Sequence, residues 1–344
     1  MNKLRLAIIL IFLAGLAILV VAFNTTKPRL LILQSYDKEY AWTRDVDAGI
    51  RRILNHRNEY ATRWFYMDTK RHPWPDYKAN TGLAVRKLID NWQPSVVIAV
   101  DDDAQQFAMR HFVGHPEVKV VFAGVNEEAA AYGYDKAGNV TGILERLPLS
   151  ALKETLLEMA RMKNLDRPPR VMFLGDLSET VVADERYFSR FDWAPLVRVD
   201  SKLVETFDAW QEVIRAADGQ VDFIVVSNYR KILRKKGEQA LVPPKELIEW
   251  SEQNSTPPII GTNLFYAQDG GMLAIGTSPF EQGEVAATQA RELLDDPRKT
   301  TRDVPLQVTR QFVVSMRASR LAARNFRLPS VYEAAARSAN NYYK

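Results

Sequence analysis

Apolar residues fall in short, evenly spaced runs along this chain, and between the runs the spacing changes to that of a helix face. The first run after the N-terminal leader is Leu30 to Gln34, closed by Ser35 and Tyr36. From about Thr43, the residues Val46, Ile50, Ile53 and Leu54 recur at helical spacing. TRWFYMD reads as a strand ending at Asp68, and a helix comes next, from Tyr77 to Trp92. SVVIAV is the next strand, Ala104 to Phe112 the next helix, and VKVVFAG the strand after it. Such alternation predicts a parallel sheet covered by helices on both faces. Strands that are apolar throughout fit burial on both sides.

NVTGIL, from Asn139 to Leu144, precedes a helix expected from Ser150 to Lys163. Ser150 is the expected N-cap, with Lys153 where a capping box needs an acid. RPPR breaks the chain and the alternation resumes. VMFLG, LVRV, FIVVS and PIIGT read as strands, with helices over 179–191, 207–217 and 244–254. MLAIG, a helix from Glu281 to Leu294, the short runs VPLQV and FVV, and helical pieces around Leu321 and Ala334 complete the chain. No repeat of 20–50 residues is visible.

The 344 residues suit two domains of ordinary size. Ahead of them, Lys3 and Arg5 precede an uncharged apolar run from Leu6 to Phe23. That pattern is an export signal, cleaved or retained as a membrane anchor, with the chain beyond Asn24 in the periplasm. The net charge is +4, and no basic stripe with interleaved aromatics accompanies it, so nucleic acid is not indicated. The chain has no cysteine, which excludes disulfides, thiolate nucleophiles and cysteine metal sites.

Ligands of parallel α/β sheets bind outside the carboxyl ends of the strands. Those ends carry Ser35, Tyr36 and Asp37, then Asp101, Asp102 and Asp103, then Asn126. In the second unit they carry Asp176, then Ser227, Asn228 and Tyr229, then Thr262, Asn263 and Tyr266. Hydroxyls, amides, carboxylates and rings of this kind furnish a site for a small polar ligand. The plainer account of any one of them is that it caps the helix behind it, Asp103 above all. Three successive carboxylates alternate in direction and do not suit one ion. His111 and His115 lack the glutamate of a zinc protease pair, and no nucleophile elbow or phosphate loop occurs, so neither catalysis nor a cofactor is expected. The run RKILRKK, 230–236, reads as a solvated surface or a contact with lipid headgroups.

LLILQSYDKEYAWTRDVDAGIRRIL, FYMDTKR, VVIAVDDDAQQF, VVFAGVN, NVTGI and AIGTSPFEQGEVAATQARELL occur here in one order. Together they resemble the type I periplasmic binding proteins. The nearest branch is the ABC-transporter substrate-binding group, also found as sensor domains of histidine kinases and diguanylate cyclases. The resemblance spans about residues 29 to 330 and implies two Rossmann-like lobes joined by a three-crossing hinge. Lobe 1 would be 29–143 plus 272–302 and lobe 2 would be 144–271 plus 303–330, with 1–24 the leader and 331–344 a tail. It implies capture of a small polar ligand, an amino acid or related compound, for an ABC permease. The alternative is a sensing subunit with a separate membrane partner. The cleft residues it implies are Ser35, Tyr36, Trp42, Asp101, Asp102, Asn126, Ser227, Asn228, Asn263 and Tyr266. Asp103 would turn away and cap the next helix. No lipid-anchor cysteine, kinase or cyclase module accompanies these motifs.

Overall fold

The computed structural model describes residues 3–54 and 59–344, and divides the chain into two compact units. Unit 1 comprises Met1–Leu144 and Pro279–Gln307, and unit 2 comprises Glu145–Ser278 and Val308–Lys344. The chain therefore passes between units at 144/145, 278/279 and 307/308. In order, the elements of the first pass are α1 (Lys3–Thr26), β1 (Arg29–Gln34), α2 (Ala41–Leu54), β2 (Ala61–Tyr66), α3 (Pro75–Trp92), β3 (Val96–Val100), α4 (Asp102–Phe107), β4 (Lys119–Val125) and β5 (Val140–Leu144). Unit 2 then runs α5 (Leu149–Met162), β6 (Arg170–Gly175), α6 (Glu179–Arg190), β7 (Val197–Arg198), β8 (Lys202–Leu203), α7 (Phe207–Ala216), β9 (Phe223–Val226), α8 (Pro244–Asn254), β10 (Ile259–Gly261), α9 (Phe265–Gln268) and β11 (Leu273–Thr277). The return to unit 1 supplies α10 (Pro279–Asp295) and β12 (Gln307–Val308). Unit 2 closes with β13 (Phe312–Arg317), α11 (Ala318–Ala323), α12 (Ser330–Ser338) and β14 (Tyr342–Tyr343).

The sheet of unit 1 has the order β12-β5-β4-β3-β1-β2, and β1 to β5 pair in parallel. Val96 to Val100 are wholly buried, as an interior strand covered on both faces must be. One face packs under α2 and α10, which approach closely because each offers a glycine. A Cβ on Gly49 would lie 2.4 Å from the Phe280 carbonyl oxygen, and one on Gly283 would lie 2.1 Å from that of Val46. The other face packs under α3 and α4, around Val85, Ile89 and Met109.

In unit 2 the order is β14-β13-β11-β10-β9-β6-β7, with β8 also on β6. The boundaries differ from the expected ones for a reason of pairing. β11 is parallel to β10 and antiparallel to β13, so MLAIG belongs to unit 2 and the return comes at 278/279, not near Met272. Residues 303–307 stay in unit 1, where β12 joins β5. The segment after 330 is no loose tail: Ala336 is buried, and β14 adds a strand beside β13. α5 starts at Leu149 with Pro148 in the cap position, ahead of the Ser150 cap expected from sequence.

In α1, the side chains described between Arg5 and Leu19 are exposed, Ile11 and Phe12 among them. Among the described residues, no helix is long and apolar enough to cross a membrane.

Candidate functional site

In unit 1 the chain runs from β1 outward to β2, then returns past β1 to β3. Loops leaving β1 and β3 therefore diverge, and a crevice opens at that switch point of the strand order. Ser35 and Asp101 sit on its two sides. Ser35 is buried and sews the corner together. Its N–H and hydroxyl both donate to the Val100 carbonyl, at 3.3 and 2.6 Å, and its Oγ accepts the Ala104 N–H at 2.8 Å. Ser35 thus caps α4 from a neighbouring strand. Asp103, expected to do so, is the second residue of that helix and makes no cap bond. Its carboxylate meets Lys78 Nζ at 3.0 Å instead.

Asp101 holds φ 65° and ψ 165°, a region that is essentially glycine's own. A non-glycine residue there costs about 1–3 kcal/mol and persists only where its surroundings fix it. Here the Asp101 N–H donates to Ala123 and its carbonyl accepts the Gln105 amide. The residue is 4% exposed. Oδ1 accepts the Trp42 indole N–H at 2.9 Å and presses on Gly124, where a Cβ would come within 2.8 Å of it. Oδ2 is buried and has no hydrogen-bond partner. Burial drives the Asp101 pKa well above the ordinary carboxylate value, with Asp102 and Asp103 adding to the rise while Lys70 and the Trp42 bond oppose it.

Asp102 has a different task. Its carboxylate accepts the N–H groups of Asn126 and Glu127 at 3.1 and 3.3 Å, and the Tyr132 hydroxyl at 2.8 Å. It braces the loop after β4, so the sequence expectation that it faces a ligand gives way to a structural role. Asn126 is placed at the crevice by that brace. The three successive aspartates turn to Trp42, to the β4 loop and to Lys78, and do not converge on one ion. Among the described residues, no group of three or more histidine, aspartate or glutamate side chains is placed to hold a metal.

Tyr36 and Tyr40 meet edge to face, with centroids 5.5 Å apart. Over them lies Lys70, its Nζ 4.6 Å from the Tyr36 centroid and 4.4 Å from that of Tyr40. Lys70 also donates to the Tyr40 hydroxyl at 2.9 Å. Beyond it, Arg71 forks onto Asp68 with two bonds of 2.7 Å, and His72 packs on Tyr77 and the exposed Trp74. Sequence reasoning missed Lys70 and Tyr40. The signal was present: DTKRHPW comes directly after the second strand, at a carboxyl end of the sheet like the others.

Unit 2 has an equivalent corner between β6 and β9, where the aspartate is satisfied internally. Asp176 is buried. Its Oδ1 accepts the Ser178 N–H and hydroxyl, and its Oδ2 accepts the Lys231 N–H. Ser227 donates to Asp184 at 2.5 Å. Asn228 accepts the N–H groups of Tyr229 and Arg230, and Asn263 donates to the Ser227 carbonyl at 3.1 Å. Ser227, Asn228 and Asn263 thus gather at one corner, as expected, while holding their own loops. Tyr266 does not join them. It is wholly buried, donates to Glu252 at 2.8 Å, and fills space left by Gly261 and Gly271, where a Cβ would lie 2.4 and 2.0 Å from its atoms. Tyr266 is a core residue.

Two of the five bases of the basic run are committed, while Lys231, Lys235 and Lys236 are exposed. Arg230 pairs with Asp269 at 2.7 Å, Arg234 forks onto Glu246, and Ile232 is buried. His115 accepts the Glu117 and Val118 N–H groups, which makes it a turn cap. A surface depression of about 430 Å³ lies among Lys245, Glu249, Asp269, Arg317 and Arg320. It sits beside the start of β11 and the end of β13, off the carboxyl ends of the parallel strands.

Solved structures give the fold a setting. A ligand-free, open substrate-binding protein with adhesive properties from Clostridium difficile is similar at TM-score 0.65 and 14% identity, covering 88% of this chain and 96% of that one. An ABC domain in complex with L-Trp from Streptococcus pneumonia is similar at TM-score 0.60 and 14% identity, covering 89% and 98%. This chain has the fold of the type I periplasmic binding proteins. A periplasmic ribose ABC transporter protein from Conexibacter woesei shares that fold at TM-score 0.53 and 12% identity, covering 90% and 98%. No protein-family model and no curated protein matches this sequence.

Proposed function

We propose that this protein is an extracytoplasmic solute-binding protein that captures a small polar ligand at the β1/β3 corner of unit 1 and makes or breaks no bond in it. The observation that carries the reading is Asp101. A buried carboxylate oxygen without a donor, on a backbone held in a glycine conformation, is costly to the fold and is furnished for a partner from outside. Trp42 donates to its other oxygen, the ends of the adjacent strands β1 and β2 carry Tyr36, Tyr40 and Lys70 with two rings and a cation, and the end of β4 carries Asn126. The fold supports the same reading, since its solved neighbours include a substrate-binding protein and a periplasmic ribose ABC transporter protein. Ser227, Asn228 and Asn263 are proposed as further ligand residues, at the corner of unit 2 itself. On this reading the residues ahead of Asn24 serve export to the periplasm, and the receiver of the liganded protein is an ABC permease.

The experiment is a calorimetric and thermal-shift screen of residues 25–344 against amino acids, amines, sugars and nucleosides. A ligand at a hundredfold excess over its Kd adds about 2.7 kcal/mol to the stability of the folded form. One chemical class that shifts the melting temperature and is recovered unchanged supports the reading. A panel without any binder, or turnover of the compound that binds, defeats it.

A further inference from the structure

We propose that Lys70 stands where the primary ammonium group of the ligand binds, so that the protein's own side chain is displaced when an amine-bearing solute enters the β1/β3 corner. The inference rests on the solute-binding reading above and adds to it a ligand class and a residue that sets affinity.

A bound primary ammonium needs ring faces, an acceptor for one of its hydrogens and a negative charge nearby. Lys70 Nζ has two of these directly. It lies 4.6 and 4.4 Å from the centroids of Tyr36 and Tyr40, and it donates to the Tyr40 hydroxyl at 2.9 Å. The third is offered by Asp101 in its ionised form, which Lys70 favours against the burial that raises its pKa, and its Oδ2 is buried with no hydrogen-bond partner. Trp42 fixes the other oxygen and so aims the carboxylate.

Lys70 is an exposed residue with a flexible stem, while every group it touches is carried by a strand end or helix start. The cation is thus the mobile part, and the rings and carboxylate are the built part. An anionic ligand at the same place would meet Asp101. A neutral one would leave the ring faces and Oδ2 without a charge to match. In unit 2 Arg230 also lies over a ring, 4.3 Å from the Phe265 centroid, but it is locked onto Asp269 at 2.7 Å.

A side chain that occupies its own site lowers apparent affinity by the fraction of time it is bound. Removing the charge at position 70 should therefore strengthen amine binding, contrary to the usual effect of deleting a site residue. The full chain and its Lys70→Met and Lys70→Arg variants are titrated with butylamine and with its neutral counterpart 1-butanol, by calorimetry and ligand-observed NMR. Circular dichroism checks the fold, and Lys70→Gln substitutes if the methionine variant misfolds. The expected result is butylamine binding about tenfold tighter in Lys70→Met, little change in Lys70→Arg, and no comparable gain for 1-butanol. Equal or weaker butylamine binding in Lys70→Met overturns the proposal, and so does an equal gain for 1-butanol, which would report only a vacated hole. If no amine binds any of the proteins, this inference fails; the solute-binding reading survives that result when a neutral solute of the wider screen binds, and falls with it when none does.

Discussion

At the β6/β9 corner of unit 2 both oxygens of Asp176 have donors, while at the β1/β3 corner of unit 1 the Oδ2 of Asp101 has none. Both aspartates come after a buried strand and precede a helix, in the same kind of crevice. The backbone differs as well. Asp101 sits at φ 65°, whereas Asp176 is not among the residues of positive φ. An internally satisfied aspartate stabilises its loop. An unsatisfied, strained one lowers stability and keeps a binding group ready. Position in the fold makes both corners candidates, and the hydrogen bonds tell them apart.

Substitution should break the comparison in opposite directions. The largest effect is expected where an aspartate is fully engaged. Asp176→Ala strands the Ser178 and Lys231 donors, and Asp102→Ala strands those of Asn126, Glu127 and Tyr132. Each should cost about 2–4 kcal/mol in urea unfolding, since each buried group left unpaired costs about 1–3 kcal/mol. Asp101→Gly should do the reverse. It suits the observed φ and ψ and removes the unpaired oxygen but strands the Trp42 N–H, so it should gain at most about 1 kcal/mol while weakening ligand binding at least about tenfold. An Asp101→Gly variant that is less stable than the natural chain would show that Asp101 is a structural residue like Asp176.

Much of this was legible in the sequence, and the exceptions have physical causes. Fully apolar strands and their alternation with helices predicted both sheets, because a strand covered on both faces leaves no other pattern. The carboxyl ends of the strands carry Ser35, Asp101, Ser227 and Asn228, and the structure places all four at the corners described above. What a side chain does once there depends on partners far along the chain. Ser35 caps a helix 69 residues away, and Trp42 reaches Asp101 across 59. No local rule separates an aspartate that binds outward from one that binds its own loop, which is why Asp102 and Asp101 looked alike. Tyr266 was misplaced because an aromatic at a strand end and one in the core have the same immediate neighbours. The glycines at 261 and 271 that make room for it carry that information only once the strands are paired. The boundary near Met272 slipped because MLAIG suits a strand in either sheet.

Titration separates the corners more gently. The folded-state pKa of Asp101 is raised, by burial before all else, above its value in the unfolded chain. The proton is therefore held more tightly in the folded state. The contribution to stability is whole below the unfolded aspartate pKa and is lost as pH rises through the folded one. Asp101→Asn removes this loss. Its stability relative to the natural chain should climb with pH from the ordinary aspartate range upward, measured as urea midpoints across that range. A flat difference would mean that the Asp101 carboxyl suffers no desolvation at this corner.

The smallest expected effect tests whether the corner divides its labour between neighbours. Ser35 touches Val100, Ala104 and Thr69, and all of these contacts hold the corner itself. Ser35→Ala removes the cap of α4 and should cost about 1 kcal/mol. The Thr69 bonds run to the Ser35 backbone carbonyl and would survive it. If Ser35 only positions Asp101, ligand affinity should change far less than in Asp101→Gly, and by no more than the slight misplacement of α4 allows. Should Ser35→Ala instead lose binding at unchanged stability, the serine hydroxyl would be a ligand contact that turns inward only while the site is empty. The two corners would then differ by one more group, and the crevice of unit 1 would extend along β1 as well as β3.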